Sequence, residues 1–113
     1  MNGGWVSNDE ATAHYADIIE QMSVGLKFLN DTFGECGRPR VAWQIDPFGH
    51  SKTQASLYAQ MGYDAVFFAR IHYKDRELRH ASKSMEMIWE ANADLGQNGT
   101  IFAGVFFEHY CRN

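Results

Sequence analysis

The sequence is short of basic charge, of cysteine and of long apolar runs, and each shortage removes a class of function. Ten Lys and Arg stand against 14 Asp and Glu, a formal net charge of −4. A chain with no basic surplus has no electrostatic footprint for nucleic acid or for an anionic membrane surface. No apolar run approaches the roughly 20 residues that a bilayer span needs. The start, Met1-Asn2-Gly3-Gly4-Trp5, has neither the basic nor the apolar stretch of a secretory signal. The expectation is a cytosolic chain, or one whose true N-terminus has been cut away. Two cysteines, Cys36 and Cys111, leave three options open: a bond to each other, bonds to cysteines outside the segment, or no bond. No internal repeat or low-complexity linker interrupts the chain.

What is present instead is apolar bulk. Hydrophobic residues make up 45% of the chain and aromatic residues 14%, enough to build the core of one ordinary domain. Trp5, Trp43 and Trp89 are among them. Rings of this kind fill cores but also line sugar-binding clefts, and composition does not separate the two uses. Asn30-Asp31-Thr32 and Asn98-Gly99-Thr100 fit the N-glycosylation acceptor pattern. Such triplets arise often by chance and Asn30 falls on a predicted helix, so they point only weakly to the secretory pathway.

Periodicity orders the elements. Ser7 with Glu10 three residues later reads as a capping box. Tyr15, Ile18, Ile19, Met22, Leu26, Leu29 and Phe33 then recur at helical spacing on one face. Gly34 is placed to stop that helix, and Gly25 sits inside it where another element should approach closely. A short strand is predicted over Arg40–Asp46, ended by Pro47. A helix follows over Lys52–Met61, then a continuous apolar strand, Ala65-Val66-Phe67-Phe68-Ala69, of the kind buried on both faces of a parallel sheet. The charged stretch Lys74–Lys83 is helical or looped. Strands around Met87–Trp89 and Ile101–Phe107 close the chain, with a polar turn from Gly96 to Gly99 between them. This alternation predicts an α/β fold, part of a parallel-sheet, barrel-like domain that is incomplete in this chain. Alone, such a slice exposes a sheet edge and uncovered apolar strands, and it is expected to aggregate.

In parallel α/β folds the reactive side chains gather beyond the carboxyl ends of the strands. Asp46 and Arg70 stand there. Asp46 could serve as nucleophile, base or metal ligand, with Arg70 orienting a ligand oxygen or lowering a carboxyl pKa. Equally, Asp46 could cap the following turn with Arg70 as its structural ion-pair partner. Glu10 reads as a helix cap, and His14 as a surface residue of the first helix.

Trp43-Gln44-Ile45-Asp46-Pro47-Phe48-Gly49-His50-Ser51 resembles the signature of glycoside hydrolase family 38, the class II α-mannosidases. The likeness extends to Gly3-Gly4-Trp5-Val6, Asn8-Asp9-Glu10-Ala11 and Asp31-Thr32-Phe33-Gly34. Beyond the core it takes in Gln54-Ala55-Ser56-Leu57, Gln60-Met61-Gly62-Tyr63-Asp64 and Phe67-Phe68-Ala69-Arg70. The Gln-Ala-Ser-Leu and Gln-Met-Gly runs suit the lysosomal members better than the Golgi ones. Residues 1–113 would then be a piece of the family's N-terminal catalytic domain.

The resemblance implies a retaining, zinc-dependent α-mannosidase that removes terminal mannose from N-linked glycans, located in the lysosome or secretory pathway. It places both the catalytic nucleophile and a zinc ligand on Asp46, and substrate contacts on Phe48, Arg70 and Tyr110. It implies that His50 supports the loop by hydrogen bonding, since the family's histidine ligands come from elsewhere. A His-x-Asp ligand pair is expected upstream of Met1, and a further histidine ligand with the acid/base aspartate downstream of Asn113. The segment alone is therefore expected to be inactive, to bind zinc weakly and to depend on the rest of its parent polypeptide. His72 stands where an acidic residue is expected in lysosomal relatives, which puts any polar contact from that position in question. The alternative is an inactive sugar-binding or structural homologue. The residues add a physical case: Pro47 holds the backbone at Asp46 extended, and Gly49 leaves room for close backbone approach.

Overall fold

The computed structural model describes residues 2–109. Helix α1 spans Tyr15–Phe33, strand β1 Val41–Trp43, helix α2 Lys52–Gln60, strand β2 Ala65–Phe68, helix α3 Tyr73–Ser82, strand β3 Glu86–Glu90 and strand β4 Thr100–Val105. Short 3₁₀ segments cover Gly34–Gly37 and Ala93–Gly99, the second in place of the polar turn. The α/β class is as expected. The helix expected to follow Ser7 starts later, with His14 as its N-cap accepting from Ala16 N. The cause is local: Asp9 Oδ1 captures Ala11 N and Oδ2 accepts from Thr12 Oγ1, so residues 9–12 form a side-chain turn before a helix can begin. Gly34 stops α1 as expected, at φ 66°, with its N–H on Asn30 O.

The four strands form one sheet in the order β1-β2-β4-β3. β1, β2 and β4 run parallel, while β3 is antiparallel to β4. That edge departs from an all-parallel sheet because the link from β3 to β4 is a brief 3₁₀ turn. A parallel return needs a crossover of about a dozen residues or more. One face of the sheet, with Ala42, Val66, Phe68, Ala103 and Val105, packs beneath α2 around the fully buried Tyr58 and Met22. The opposite face leaves Val41, Trp43, Ile88 and Phe102 exposed. Uncovered apolar strands are therefore present. The predicted apolar face of α1 is only partly used: Ile18, Met22 and Gly25 are buried, whereas Tyr15 and Phe33 are each 58% exposed. The expected close approach at Gly25 is real, since Gly3, Gly4 and Trp5 press their backbone against it.

Candidate active site

Three parallel strands bring their carboxyl ends to one edge, so the segments 44–51, 69–72 and 106–109 meet although they are far apart in sequence. Pairing is continued past β1 by Gln44 N donating to Phe67 O at 2.9 Å. Gln44 is buried and its side chain accepts from Asn2 Nδ2 at 2.9 Å. Asn2 in turn accepts from Trp43 N, which stitches the N-terminal segment to the outer edge of β1. Asn8 bridges α1 and α2, accepting from Gln21 Nε2 at 3.0 Å and donating to Gln54 Oε1 at 2.8 Å.

Between these two stitched segments lies a recess of about 320 Å³, with Ser7, Asn8 and Asp9 on one side and Trp43 to Pro47 on the other. Asp46 lines it and is exposed. Among the described residues no hydrogen bond or ion pair reaches its carboxylate. Asp9 shares the recess, but Ala11 N–H and Thr12 Oγ1 occupy its oxygens, the Ala11 bond chief among the causes that hold its carboxyl below the ordinary range.

After Asp46 the buried Pro47 turns the chain inward, and Phe48 re-emerges 84% exposed. Arg70, half-buried past the end of β2, lays its guanidinium 4.4 Å from the centre of the Phe48 ring. Such a cation–π contact fixes both groups. Together they border a cleft of about 730 Å³ that His50, His72, Arg76 and His109 also line. Phe48 and Arg70 are thus brought together, while Asp46 lies in the neighbouring recess across Pro47. A third recess, about 400 Å³, is walled by Trp43, Ile45, Phe106 and Phe107. Trp43 and Phe106 pack there with tilted rings, centroids 4.9 Å apart. Tyr110 and Cys111 lie outside the described residues, and the exposed Cys36 donates its thiol to Phe33 O at 2.9 Å.

Several expectations need correcting. Asp46 does not cap the next element; Ser51 caps α2, its Oγ accepting from Thr53 N at 3.1 Å. Gly49 leaves the expected room, but among the described residues nothing lies within 4 Å of an added Cβ to use it. Glu10 caps no helix. It is buried, and its Oε1 accepts from Ser51 N at 3.1 Å while its Oε2 meets His50 Nδ1 at 2.7 Å. His50 Nε2 donates to Arg70 O at 3.1 Å, so this histidine supports the loop by hydrogen bonding. Sequence reasoning passed over Glu10 because its partners lie about 40 positions away. The usable signal was its place in the Asn8-Asp9-Glu10-Ala11 run that accompanies the Asp46 loop.

Among the described residues no three His, Cys, Asp or Glu side chains converge as a metal site. The chain can offer a metal the unengaged Asp46 carboxylate, and a full ligand set would need residues from elsewhere.

The chain is similar to known proteins over nearly its whole length. The family described as Glycosyl hydrolases family 38 N-terminal domain matches residues 1–113. The chain is 57% identical over 110 residues to the lysosomal alpha-mannosidase of Cavia porcellus, covering 96% of this chain and 11% of that protein. To the lysosomal alpha-mannosidase of Homo sapiens it is 54% identical over 110 residues, with the same two shares. To an alpha-mannosidase of Canavalia ensiformis it is 48% identical over 111 residues, 97% of this chain and 11% of the relative. The chain spans about a tenth of the length of the curated relatives it matches.

Proposed function

This chain belongs to glycosyl hydrolase family 38, within its N-terminal domain, and on that footing we propose that it is the nucleophile-bearing part of a retaining α-mannosidase. The substrate class is terminal α-linked mannose on N-linked glycans, and the rest of the parent polypeptide completes the site. One observation carries the proposal: Asp46 stands at the carboxyl end of a parallel strand, open to a recess and held by no bond among the described residues. Among the described residues no donor competes with a sugar for its oxygens.

In the retaining reaction the carboxylate attacks the anomeric carbon and a second carboxyl, about 5 Å away, protonates the leaving oxygen. Asp46 takes the first role. The acid/base carboxyl is assigned to a segment downstream of residue 113. Phe48 gives the sugar an apolar wall, and Arg70, steadied on that ring, supplies fixed positive charge beside the reacting face. The tilted Trp43–Phe106 pair offers a further aromatic surface for sugar faces.

The Asp46 carboxylate, unengaged among the described residues, also fits a zinc ion, since carboxylate oxygens suit that metal. A bound zinc would act as a Lewis acid, orienting hydroxyls of the reacting sugar. Asp46 would be this chain's ligand, with a His-x-Asp pair and another histidine supplied by the parent. Metal contact would keep the nucleophile ionised and fix its aim. Lysosomal residence is supported by the names of the animal relatives, while the Canavalia relative is named simply alpha-mannosidase.

The test uses the full-length protein on an aryl α-mannoside, with and without a chelator. Turnover that the chelator removes and zinc restores is expected. Asp46→Asn should abolish turnover and weaken zinc retention, and near-normal activity in that variant removes Asp46 from both roles.

A further inference from the structure

Glu10 and His50 form, among the described residues, the acid–base contact whose side chains are least exposed, at 4% and 11%. The reaction outlined above uses neither. Their bonds run to three separate stretches of chain. Glu10 itself continues the Ser7–Asp9 wall of the Asp46 recess. Its oxygens hold His50 Nδ1 and Ser51 N, at the end of the loop that carries Asp46 and Phe48. His50 Nε2 holds the carbonyl of Arg70, whose guanidinium lies over Phe48. Phe68 packs on the His50 ring, centroids 4.1 Å apart, and fixes its plane.

The hydrogen inventory makes this clamp directional. A carbonyl only accepts, so the hydrogen between His50 and Arg70 O sits on Nε2. Nδ1 then meets Glu10 either as a second N–H donor to a carboxylate or as the acceptor of a carboxyl O–H. Both arrangements need a hydrogen between ring and side chain. Without a partner at residue 10 the ring loses its orientation and the Ser51 N–H its acceptor.

We propose, building on the α-mannosidase assignment, that Glu10 and His50 are positioning residues that hold Asp46, Phe48 and Arg70 in mutual register. Glu10 is absent from the cleft lining, and the role argued for the pair is placement of the loop and not contact with the sugar. They act by fixing the loop from both ends, from the N-terminal wall and from the tip of β2. Near-attack placement is steep in distance, and a shift of about 1 Å costs on the order of 100-fold in rate. Loss of the clamp therefore falls on kcat, while KM, set by contacts of the sugar with the whole cleft, moves little.

The experiment is steady-state kinetics of the full-length protein carrying Glu10→Ala or Glu10→Gln, on an aryl α-mannoside, with zinc content and urea midpoint measured alongside. Glu10→Ala should lower kcat by about 10–100-fold at nearly unchanged KM. Glu10→Gln can accept from Ser51 N and donate to His50 Nδ1, so it should return kcat to within a few-fold of wild type. Wild-type kcat in a folded Glu10→Ala protein overturns the proposal, and so do equal losses in the two variants. If Glu10→Ala does not fold, Glu10→Asp decides: it keeps the charge but falls short of one partner, and must show the same kcat loss. Wild-type kcat there, or failure of all three to fold, leaves the pair a purely structural feature and refutes a positioning role. A wild-type protein with no turnover on the aryl α-mannoside refutes the glycosidase assignment instead, before any variant is compared.

Discussion

Gly25→Ala places a methyl group where α1 meets the chain leading to the Asp46 recess. The added Cβ would lie well inside 3.0 Å of three backbone atoms: Gly3 O, Gly4 C and Trp5 N. None is the loose end of a side chain, so the segment must retreat by roughly 1 Å to regain ordinary contact. On the helix alone the change is favourable by about 1 kcal/mol, because alanine is the better helix former. Overpacking opposes it by about 1–3 kcal/mol. The retreat also strains two bonds to α1, Trp5 N to Gln21 O at 3.0 Å and Val6 N to Gln21 Oε1 at 3.1 Å. Losing both costs roughly 1–3 kcal/mol more. The balance is a net destabilisation of about 3 kcal/mol, opposite in sign to helix propensity. Ser7, Asn8 and Asp9 continue from the displaced segment, so turnover on an aryl α-mannoside should fall as well. Urea unfolding of the full-length protein, followed by fluorescence and by residual activity, measures both. A midpoint equal to or above wild type would refute the close approach and the coupling built on it.

Arg70→Ala removes, among its interactions, the cation–π contact with Phe48, so turnover should drop sharply in a protein that still folds. A grossly unfolded variant would favour a structural role for Arg70. Ser51→Ala removes the cap of α2 and should cost about 1 kcal/mol in urea unfolding, with no loss if the Thr53 N–H finds water instead. Burial pushes the Tyr63 phenol up to about 12, while in the unfolded chain it ionises near its ordinary value of 10.0. Its neutral form is thus favoured on folding, a stabilisation present below that ordinary value and lost as pH rises through the folded one. The alkaline fall in unfolding midpoint should therefore be shallower in Tyr63→Phe than in wild type, and superimposable curves would refute the buried neutral phenol.

The parts of the fold that were legible in sequence are those whose signal is local. Ala65–Ala69 reads as a doubly buried strand because nothing polar interrupts it, and the run of helix formers after Lys52 yields α2. The first strand was legible but overdrawn: it stops at Trp43, three residues short of the Asp46 expected to end it, and only Gln44 N carries the pairing further. Ser7 and Glu10 misled because a capping box and an Asx turn share their residue types, and Asp9, between them, decided the contest by taking the Ala11 N–H. The Phe48–Arg70 contact spans two strand tips, and tip proximity follows only once the strand order is known. Likewise the alternation in Glu86-Met87-Ile88-Trp89-Glu90 marks a strand with one inward face but carries no information on its direction. Direction came from the shortness of the turn after it.

Three carboxylates lie close together around one loop, and their surroundings sort them into different chemistry. Asp9 is committed to the turn before α1, with both oxygens occupied and its carboxyl held acidic by the Ala11 N–H. Glu10, its neighbour in sequence, points inward and joins three stretches of chain through His50 and Ser51. Asp46 lies across the recess from Asp9 with neither oxygen engaged among the described residues. With no hydrogen bond among the described residues to orient it, the Asp46 carboxylate takes its aim from the backbone on either side and, on the proposed assignment, from the metal it would ligate. Pro47 fixes that backbone from one direction, and the Glu10–His50–Arg70 chain of bonds fixes the loop from the other. On the α-mannosidase assignment, the buried acid that never meets the sugar is what allows the exposed one to react.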